Sequence, residues 1–64
     1  MEVKIARIRK GLTQKQLRGL LGISPQTLVD IEKGRYEKVS IVLAKKISEI
    51  LETPVQELFF KITN

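Results

Sequence analysis

The stretch QKQLRGLLGISPQTLVDIEKG, residues 14–34, decides how this chain folds. It contains two helix-forming segments, predicted at residues 14–21 and 25–33, with a three-residue connection between them. Gly22 begins that connection, where a left-handed C-cap is expected, and Ser24 ends it, where an N-cap is expected. So short a connection holds two helices at a steep angle, which is the helix-turn-helix arrangement.

Similar signals divide the rest of the chain. Gly11 and Gly34 also follow helix-like segments, and further N-caps are predicted at Thr13, Ser40 and Thr53. A glutamine stands three residues after Thr13 and again after Thr53, which is the spacing of a capping box. The five predicted helices cover residues 3–10, 14–21, 25–33, 41–51 and 54–58.

Apolar residues at helical spacing predict which faces are buried. The fourth helix carries such a stripe, formed by Ile41, Ala44, Ile47, Ser48 and Leu51. Residues 59–63 are instead aromatic and β-branched, which favours a short strand with Phe60 and Ile62 on one face. We therefore predict a single all-α, five-helix domain over residues 1–64, ending in that strand.

Composition narrows the classes of function. The 64 residues include no cysteine and no histidine, so disulfides, the usual zinc ligands and the usual general base are missing. We expect no enzyme, no cofactor, no metal and no small-molecule substrate. Lysine and arginine number 12 against 7 acidic residues, and the net charge of +5 favours a polyanionic partner. With no membrane-spanning apolar run and no signal peptide, we expect a cytoplasmic protein.

Several motifs in this frame resemble one family. They are LTQKQL at 12–17, GIS at 22–24, QTL at 26–28, IEKG at 31–34 and ETPVQELF at 52–59. Together they look like the Cro/repressor-type, or Xre-type, helix-turn-helix family, over nearly the whole chain. The resemblance implies a lambda-repressor-like fold and a bacterial or phage transcription regulator that binds operator DNA as a dimer. Repression by occupying a palindromic operator is the expected mode of action.

The resemblance also implies roles for individual residues. Side chains of the recognition helix would face DNA at Pro25, Gln26, Thr27, Val29 and Asp30. Phosphate contacts are implied for Gln14 at the start of the second helix and for Lys33 and Arg35 at and after the end of the third. Lys38 is expected to contact a phosphate as well, because each charge neutralised there releases counterions. Arg7 in the first helix would pair with Glu32, which would join the first helix to the third.

The chemistry of the recognition helix leaves several readouts open. Gln26 can bond adenine through N6 and N7, contact a phosphate or remain solvated. Thr27 can face DNA or support the start of its helix. Pro25 and Val29 suit thymine methyl groups, whereas Asp30 can accept from a cytosine amino group or be repelled by phosphates.

A protein-interaction module is the main alternative. Apolar residues in the second half of the chain exceed what a small core needs and would form a homodimer interface: Val42, Ile50, Phe59, Phe60 and Ile62. Such a dimer would place two recognition helices ~34 Å apart, in successive major grooves. The same apolar surface would serve an antitoxin-like protein that binds DNA and a separate partner protein. A membrane-surface helix is disfavoured, because the basic residues do not gather opposite one broad apolar face.

Overall fold

The computed structural model describes residues 2–60 of the chain. Five helices follow one another: α1 (Glu2–Arg9), α2 (Gln14–Leu21), α3 (Pro25–Glu32), α4 (Ile41–Leu51) and α5 (Val55–Phe59). No strand occurs among these residues, so the predicted all-α class is confirmed. Each predicted helix boundary lies within one residue of the observed one, which is the usual uncertainty of helix ends.

The strand predicted at residues 59–63 is wrong where the structure describes it. Phe59 is the last residue of α5, and the Phe60 backbone N–H donates to the carbonyl of Gln56 at 3.0 Å. The helical course is favoured because it buries Leu58 and sets the Phe59 ring edge-on against Tyr36, with centroids 5.0 Å apart. Residues 61–63, including Ile62, lie outside the described residues.

Four helices end with a residue in the left-handed conformation. Three are the predicted glycines, Gly11, Gly22 and Gly34, with φ of 75°, 69° and 86°. The fourth is Glu52, at φ 51°, which carries no glycine signal. In each case the backbone N–H of the residue that follows the left-handed one donates to the carbonyl of the residue five positions before the donor. This bond satisfies a carbonyl that the helix end would otherwise leave free.

Side-chain caps begin three of the helices as predicted. Thr13 and Gln16 form a complete capping box on α2, and Ser24 and Ser40 accept backbone N–H groups of α3 and α4. The cap predicted at Thr53 is wrong, because α5 starts one residue later than predicted. The Thr53 hydroxyl donates instead to the Leu51 carbonyl. The N-cap of α5 is therefore a proline without a side-chain hydrogen bond.

The core is built from two apolar residues on each of α1 to α4 and one on α5. They are Val3, Ala6, Leu17, Leu21, Leu28, Ile31, Ile47, Leu51 and Leu58. Through these residues α3 packs against α1 and α2, while α5 packs against α1 and α4. The stripe predicted for α4 enters the core only at Ile47 and Leu51, and Ile41, at the start of the helix, is 82% exposed.

Candidate nucleic-acid interface

The outer face of α3 is the candidate recognition surface. Spacing at i, i+3, i+4 and i+7 places four residues on this side: Gln26, Val29, Asp30 and Lys33. The inner side holds Leu28 and Ile31, each 1% exposed, so the helix is anchored from the opposite direction. Gln26 and Lys33 are exposed, whereas Val29 and Asp30 are half-buried. The structure therefore brings four of the predicted DNA-facing residues together on one surface.

The first turn of α3 fixes the backbone from which this surface projects. Ser24 Oγ accepts the backbone N–H of Thr27 at 3.2 Å, and the two hydroxyl oxygens are hydrogen-bonded at 2.8 Å. The Thr27 hydroxyl therefore supports the helix start, which is one of the two roles predicted for it. Pro25 occupies the first helical position and is exposed, so its ring is accessible to a base or sugar.

Asp30 joins two other predicted contact residues. Gln26 Nε2 donates to Asp30 Oδ1 at 3.0 Å, and Arg35 Nη1 lies 3.4 Å from the same oxygen. The backbone N–H of Arg35 also donates to the Asp30 carbonyl at 2.9 Å, as part of the turn that ends α3. The acid on the recognition surface is thus paired within the protein.

A buried ion pair attaches α3 to α1. Arg7 Nε donates to Glu32 Oε2 at 2.6 Å, and Arg7 Nη2 lies 3.5 Å from Oε1. Arg7 Nη1 also donates to the carbonyl of Leu12 at 2.8 Å, so the same guanidinium holds the turn before α2. The two side chains are 10% and 4% exposed, and no buried side-chain nitrogen or oxygen within residues 2–60 lacks a partner. This geometry suits the structural role that the resemblance implies.

Gln14 begins α2 beside this ion pair. Its Nε2 donates to Glu32 Oε1 at 2.9 Å, which turns the side-chain amide toward α3. One Nε2 hydrogen is thereby occupied, so a phosphate contact would use the second one or the backbone N–H. The predicted contact residue therefore has a fixed position where α2 meets α3.

Cations lie on the recognition surface and next to it. Lys33 belongs to that surface, and Arg35 and Lys38 are exposed beyond the end of α3. A fourth cation, Lys4 of α1, lines a shallow depression together with Gln14 and Lys33. Lys4 was not among the phosphate contacts predicted from the sequence, and its position beside Gln14 and Lys33 makes it a further candidate.

A sequence signal for Lys4 was present. It stands three residues before Arg7, so both side chains lie on the same side of α1. Because the resemblance pairs Arg7 with Glu32 of α3, that side of α1 is expected to lie near the recognition helix. Lys4 could be placed beside the recognition helix only by combining the Arg7–Glu32 pair with the helical spacing of Lys4 and Arg7.

The chain is similar to known helix-turn-helix proteins. A helix-turn-helix family model, HTH_3, matches residues 3–58. The chain belongs to the Xre-type helix-turn-helix family of transcriptional regulators. The family resemblance drawn from the sequence motifs is thus confirmed, and the five-helix architecture is consistent with the lambda-repressor-like fold it implied.

Relatives within this helix-turn-helix family come from archaea and bacteria. The chain is 38% identical over 58 residues to an uncharacterised HTH-type transcriptional regulator of Methanocaldococcus jannaschii, covering 91% of this chain and 86% of that protein. A similar regulator of Archaeoglobus fulgidus is 36% identical over 53 residues, covering 83% and 74%. The regulator YgzD of Bacillus subtilis is 36% identical over 59 residues, covering 92% and 88%.

Two of these three relatives are archaeal, so the bacterial or phage origin expected from the resemblance stays an untested prediction. No solved structure matches the chain significantly.

A second surface of this helix-turn-helix protein is apolar. An open groove of about 470 Å³ lies between the start of α4 and α5, and Tyr36, Ile41 and Phe60 are among its lining residues. Ile41, Val42 and Phe60 are 82%, 75% and 67% exposed. These three residues and Phe59 are called the α4–α5 surface below.

The predicted dimer residues differ in exposure. Val42 and Phe60 are open to solvent, whereas Ile50 and Phe59 are half-buried and pack against the core. Ile62 lies outside the described residues. Ile41 was missed as a surface residue because its apolar character and its place in the stripe of α4 favoured burial.

The described part of the chain offers neither a membrane span nor a metal site of the usual kind. No helix there is long and apolar enough to cross a membrane. Within residues 2–60, no group of three or more acidic, histidine or cysteine side chains is placed to hold a metal ion.

Proposed function

We propose that this protein is a sequence-specific repressor that binds a palindromic operator in double-stranded DNA as a homodimer, within the cytoplasm. The observation that carries the proposal is the outer face of α3. Its polar residues project from a helix that is capped by Ser24 at one end and joined to α1 through Glu32 at the other. A recognition helix held at both ends meets DNA with little further ordering, which lowers the entropy cost of binding.

Gln26 supplies the base-reading chemistry. It is exposed in the first turn of α3, the part of a recognition helix that contacts base edges. A glutamine amide pairs with N6 and N7 of adenine, a contact worth ~1–3 kcal/mol of discrimination. Val29, one turn further along, and Pro25 would add apolar contacts with thymine methyl groups.

Phosphate contacts supply the rest of the affinity in this proposal. Lys33, Arg35 and Lys38 are exposed at and after the end of α3, and Lys4 of α1 lines a depression together with Lys33. Gln14 would add a contact at the start of α2. Each cation that neutralises a phosphate releases counterions, so binding should weaken steeply with salt.

The homodimer is proposed to form through the α4–α5 surface. Ile41 and Phe60 are exposed apolar side chains that line a groove, and Val42, next to Ile41 in the chain, is also exposed. A groove beside projecting side chains suits self-complementary twofold packing. Burial of these side chains in a dimer would remove apolar area from water at ~25 cal/mol per Å². Two α3 helices related by that twofold axis would read two half-sites.

The decisive experiment is selection of bound sequences from a random duplex library by the full chain. We expect an enriched palindrome with half-site centres 10–10.5 bp apart, as is usual for helix-turn-helix dimers, so roughly one helical turn. Affinity for the selected duplex should then fall linearly with the logarithm of salt concentration. A Gln26→Ala variant should lose preference at one base pair of each half-site.

Three outcomes would count against the proposal. If no sequence were enriched, the proposed sequence specificity would be contradicted. If the affinity did not change with salt, the proposed phosphate contacts would be contradicted. An enriched site without twofold symmetry would contradict binding as a homodimer.

The apolar groove gives a second candidate function, an antitoxin-like protein that binds a separate partner protein. That candidate would be favoured if the chain were monomeric at micromolar concentration and retained DNA binding. The oligomeric state in sedimentation therefore separates the two candidates.

A further inference from the structure

We propose that Asp30 is a positioning residue that makes Gln26 select adenine over guanine. The inference rests on the proposed function, because it concerns how the outer face of α3 reads a base pair. The observation behind it is the convergence of Gln26 Nε2 and Arg35 Nη1 on one oxygen, Asp30 Oδ1, at 3.0 and 3.4 Å.

The carboxylate determines which end of the glutamine amide faces it. An ionised carboxylate only accepts hydrogen bonds, so the Nε2 end of Gln26 is the end that must point toward Asp30. One of the two Nε2 hydrogens is then occupied, and the second hydrogen and Oε1 are left for a base. The free edge of the amide is one donor beside one acceptor.

That pattern fits adenine and not guanine. Adenine offers an acceptor at N7 and a donor at N6, which one N–H and Oε1 of Gln26 can satisfy together. Guanine offers two acceptors, N7 and O6, so a glutamine would need both Nε2 hydrogens to satisfy them. With one hydrogen held by Asp30, the guanine pairing loses a donor.

Arg35 keeps the acid in place. The Asp30 side chain is 26% exposed against 61% for Arg35, and the Arg35 backbone N–H also binds the Asp30 carbonyl. An exposed ion pair contributes little to folding stability. Here it limits the directions in which the carboxylate can point, and so the orientation in which Gln26 is held.

Removal of Asp30 should therefore have two opposite effects. An acid on a surface that meets phosphates weakens binding to every DNA sequence, so its removal raises affinity for arbitrary DNA. The same removal frees the second Nε2 hydrogen of Gln26, so preference for adenine over guanine falls. Removal of a residue that only stabilised the fold would lower the apparent affinity for every duplex and leave the preference for adenine over guanine unchanged.

The test uses the full chain and the duplex that it enriches most strongly from a random library. Each adenine in that duplex is replaced in turn by guanine, with its partner base, and competition titrations at fixed salt compare wild type with Gln26→Ala, Asp30→Ala and Glu37→Ala. Glu37 is the matched control, because it lines the same shallow depression as Asp30 and Arg35 but has no hydrogen bond to Gln26. Thermal unfolding verifies that each variant is folded.

We expect wild type to prefer adenine at one position of each half-site by about tenfold or more, and Gln26→Ala to lose that preference. In Asp30→Ala the preference at that position should fall to about threefold or less, while affinity for a scrambled duplex rises about twofold or more. Glu37→Ala should raise scrambled-duplex affinity and leave the preference unchanged. If Asp30→Ala does not fold, Asp30→Ser is measured in the same way.

An Asp30 variant with the wild-type adenine preference at the Gln26-dependent position would overturn this inference and leave the proposed function standing. A Gln26→Ala variant that keeps every base preference of the wild type would overturn this inference together with the base contact proposed for Gln26, and leave the rest of the proposed function standing. A wild-type protein that bound no duplex would overturn both the proposed function and the inference.

Discussion

Arg7 and Glu32 are separated by 25 positions in the chain, and their side chains meet at 2.6 Å in the interior. The same glutamate accepts from Gln14 at 2.9 Å, and the same arginine donates to the carbonyl of Leu12 at 2.8 Å. One ion pair therefore connects α1, the start of α2 and the end of α3. It sets the position of the recognition helix relative to the rest of the domain.

Replacement of Glu32 by alanine should destabilise the domain strongly. The guanidinium of Arg7 would remain buried without its partner, a change that typically costs about 3–5 kcal/mol. Urea unfolding at low temperature is the measurement, since so large a loss approaches the whole stability of a small domain. Replacing Arg7 and Glu32 together by leucine should recover part of the loss. A single variant that lost less than about 1 kcal/mol would contradict the role assigned to this pair.

Two glycines make a matched pair for a second stability test. Gly19 lies within α2 and Gly22 directly follows it, and an added Cβ would meet nothing within 4 Å at either position. Gly22 has φ of 69°, where a side chain costs ~1–2 kcal/mol, whereas Gly19 is helical. We expect Gly22→Ala to lower the free energy of unfolding and Gly19→Ala to raise it by about 1 kcal/mol. Equal signs in thermal unfolding would contradict this assignment.

Glu52 gives the third prediction. It is the one described non-glycine residue with positive φ, and it forms an exposed ion pair with Lys10. Because relief of the left-handed conformation outweighs an exposed ion pair, Glu52→Gly should stabilise the domain by about 0.5–1 kcal/mol. Glu52→Ala is the control, since it loses the ion pair and keeps the Cβ. If the alanine variant were as stable as the glycine variant, backbone conformation would not be the cause.

Lys4 is expected to contact a phosphate. On the selected duplex, Lys4→Ala should reduce the slope of log affinity against log salt by about 1. Lys46→Ala is the control, because Lys46 is an exposed lysine of α4 outside the recognition surface. Affinity titrations at four salt concentrations provide the slopes. Identical reductions in both variants would indicate a general effect of net charge.

Val42 tests the proposed dimer interface. An aspartate there would place a charge against the apolar side chains of the second protomer, so Val42→Asp should raise the dimer dissociation constant by about tenfold or more. Phe60→Asp should act in the same direction. Leu20→Asp is the control, since Leu20 is 55% exposed but lies on α2. Sedimentation equilibrium measures the dimer dissociation constant of all three variants. A wild-type protein that is monomeric at micromolar concentration would contradict the proposed interface.

The helices could be predicted from sequence because their signals are local. Thr13, Ser24 and Ser40 precede helices and Gly11 and Gly22 follow them, and the chemistry of each cap acts within a few residues. The prediction failed where a local signal competed with packing. The β-branched and aromatic end was expected to be a strand, but the burial of Leu58 favoured the helix.

The candidate site could be predicted in position but not in its internal contacts. Helical spacing alone places Gln26 and Asp30 on one surface. The turn at Gly34 was predicted, but no pattern in the sequence specifies that this turn directs the Arg35 side chain toward Asp30. Ile41 was misjudged for a related reason, because a stripe of apolar residues does not show where along a helix the core begins.

The two sides of α3 perform separate tasks within eight residues. Leu28, Ile31 and Glu32 hold the helix in the domain, while Gln26 and Lys33 point away from it. Substitutions on the outer side can therefore accumulate without unfolding the chain. Duplicated copies of such a gene could diverge in the DNA they recognise while keeping one scaffold, and an engineer could redirect the protein by exchanging that side alone.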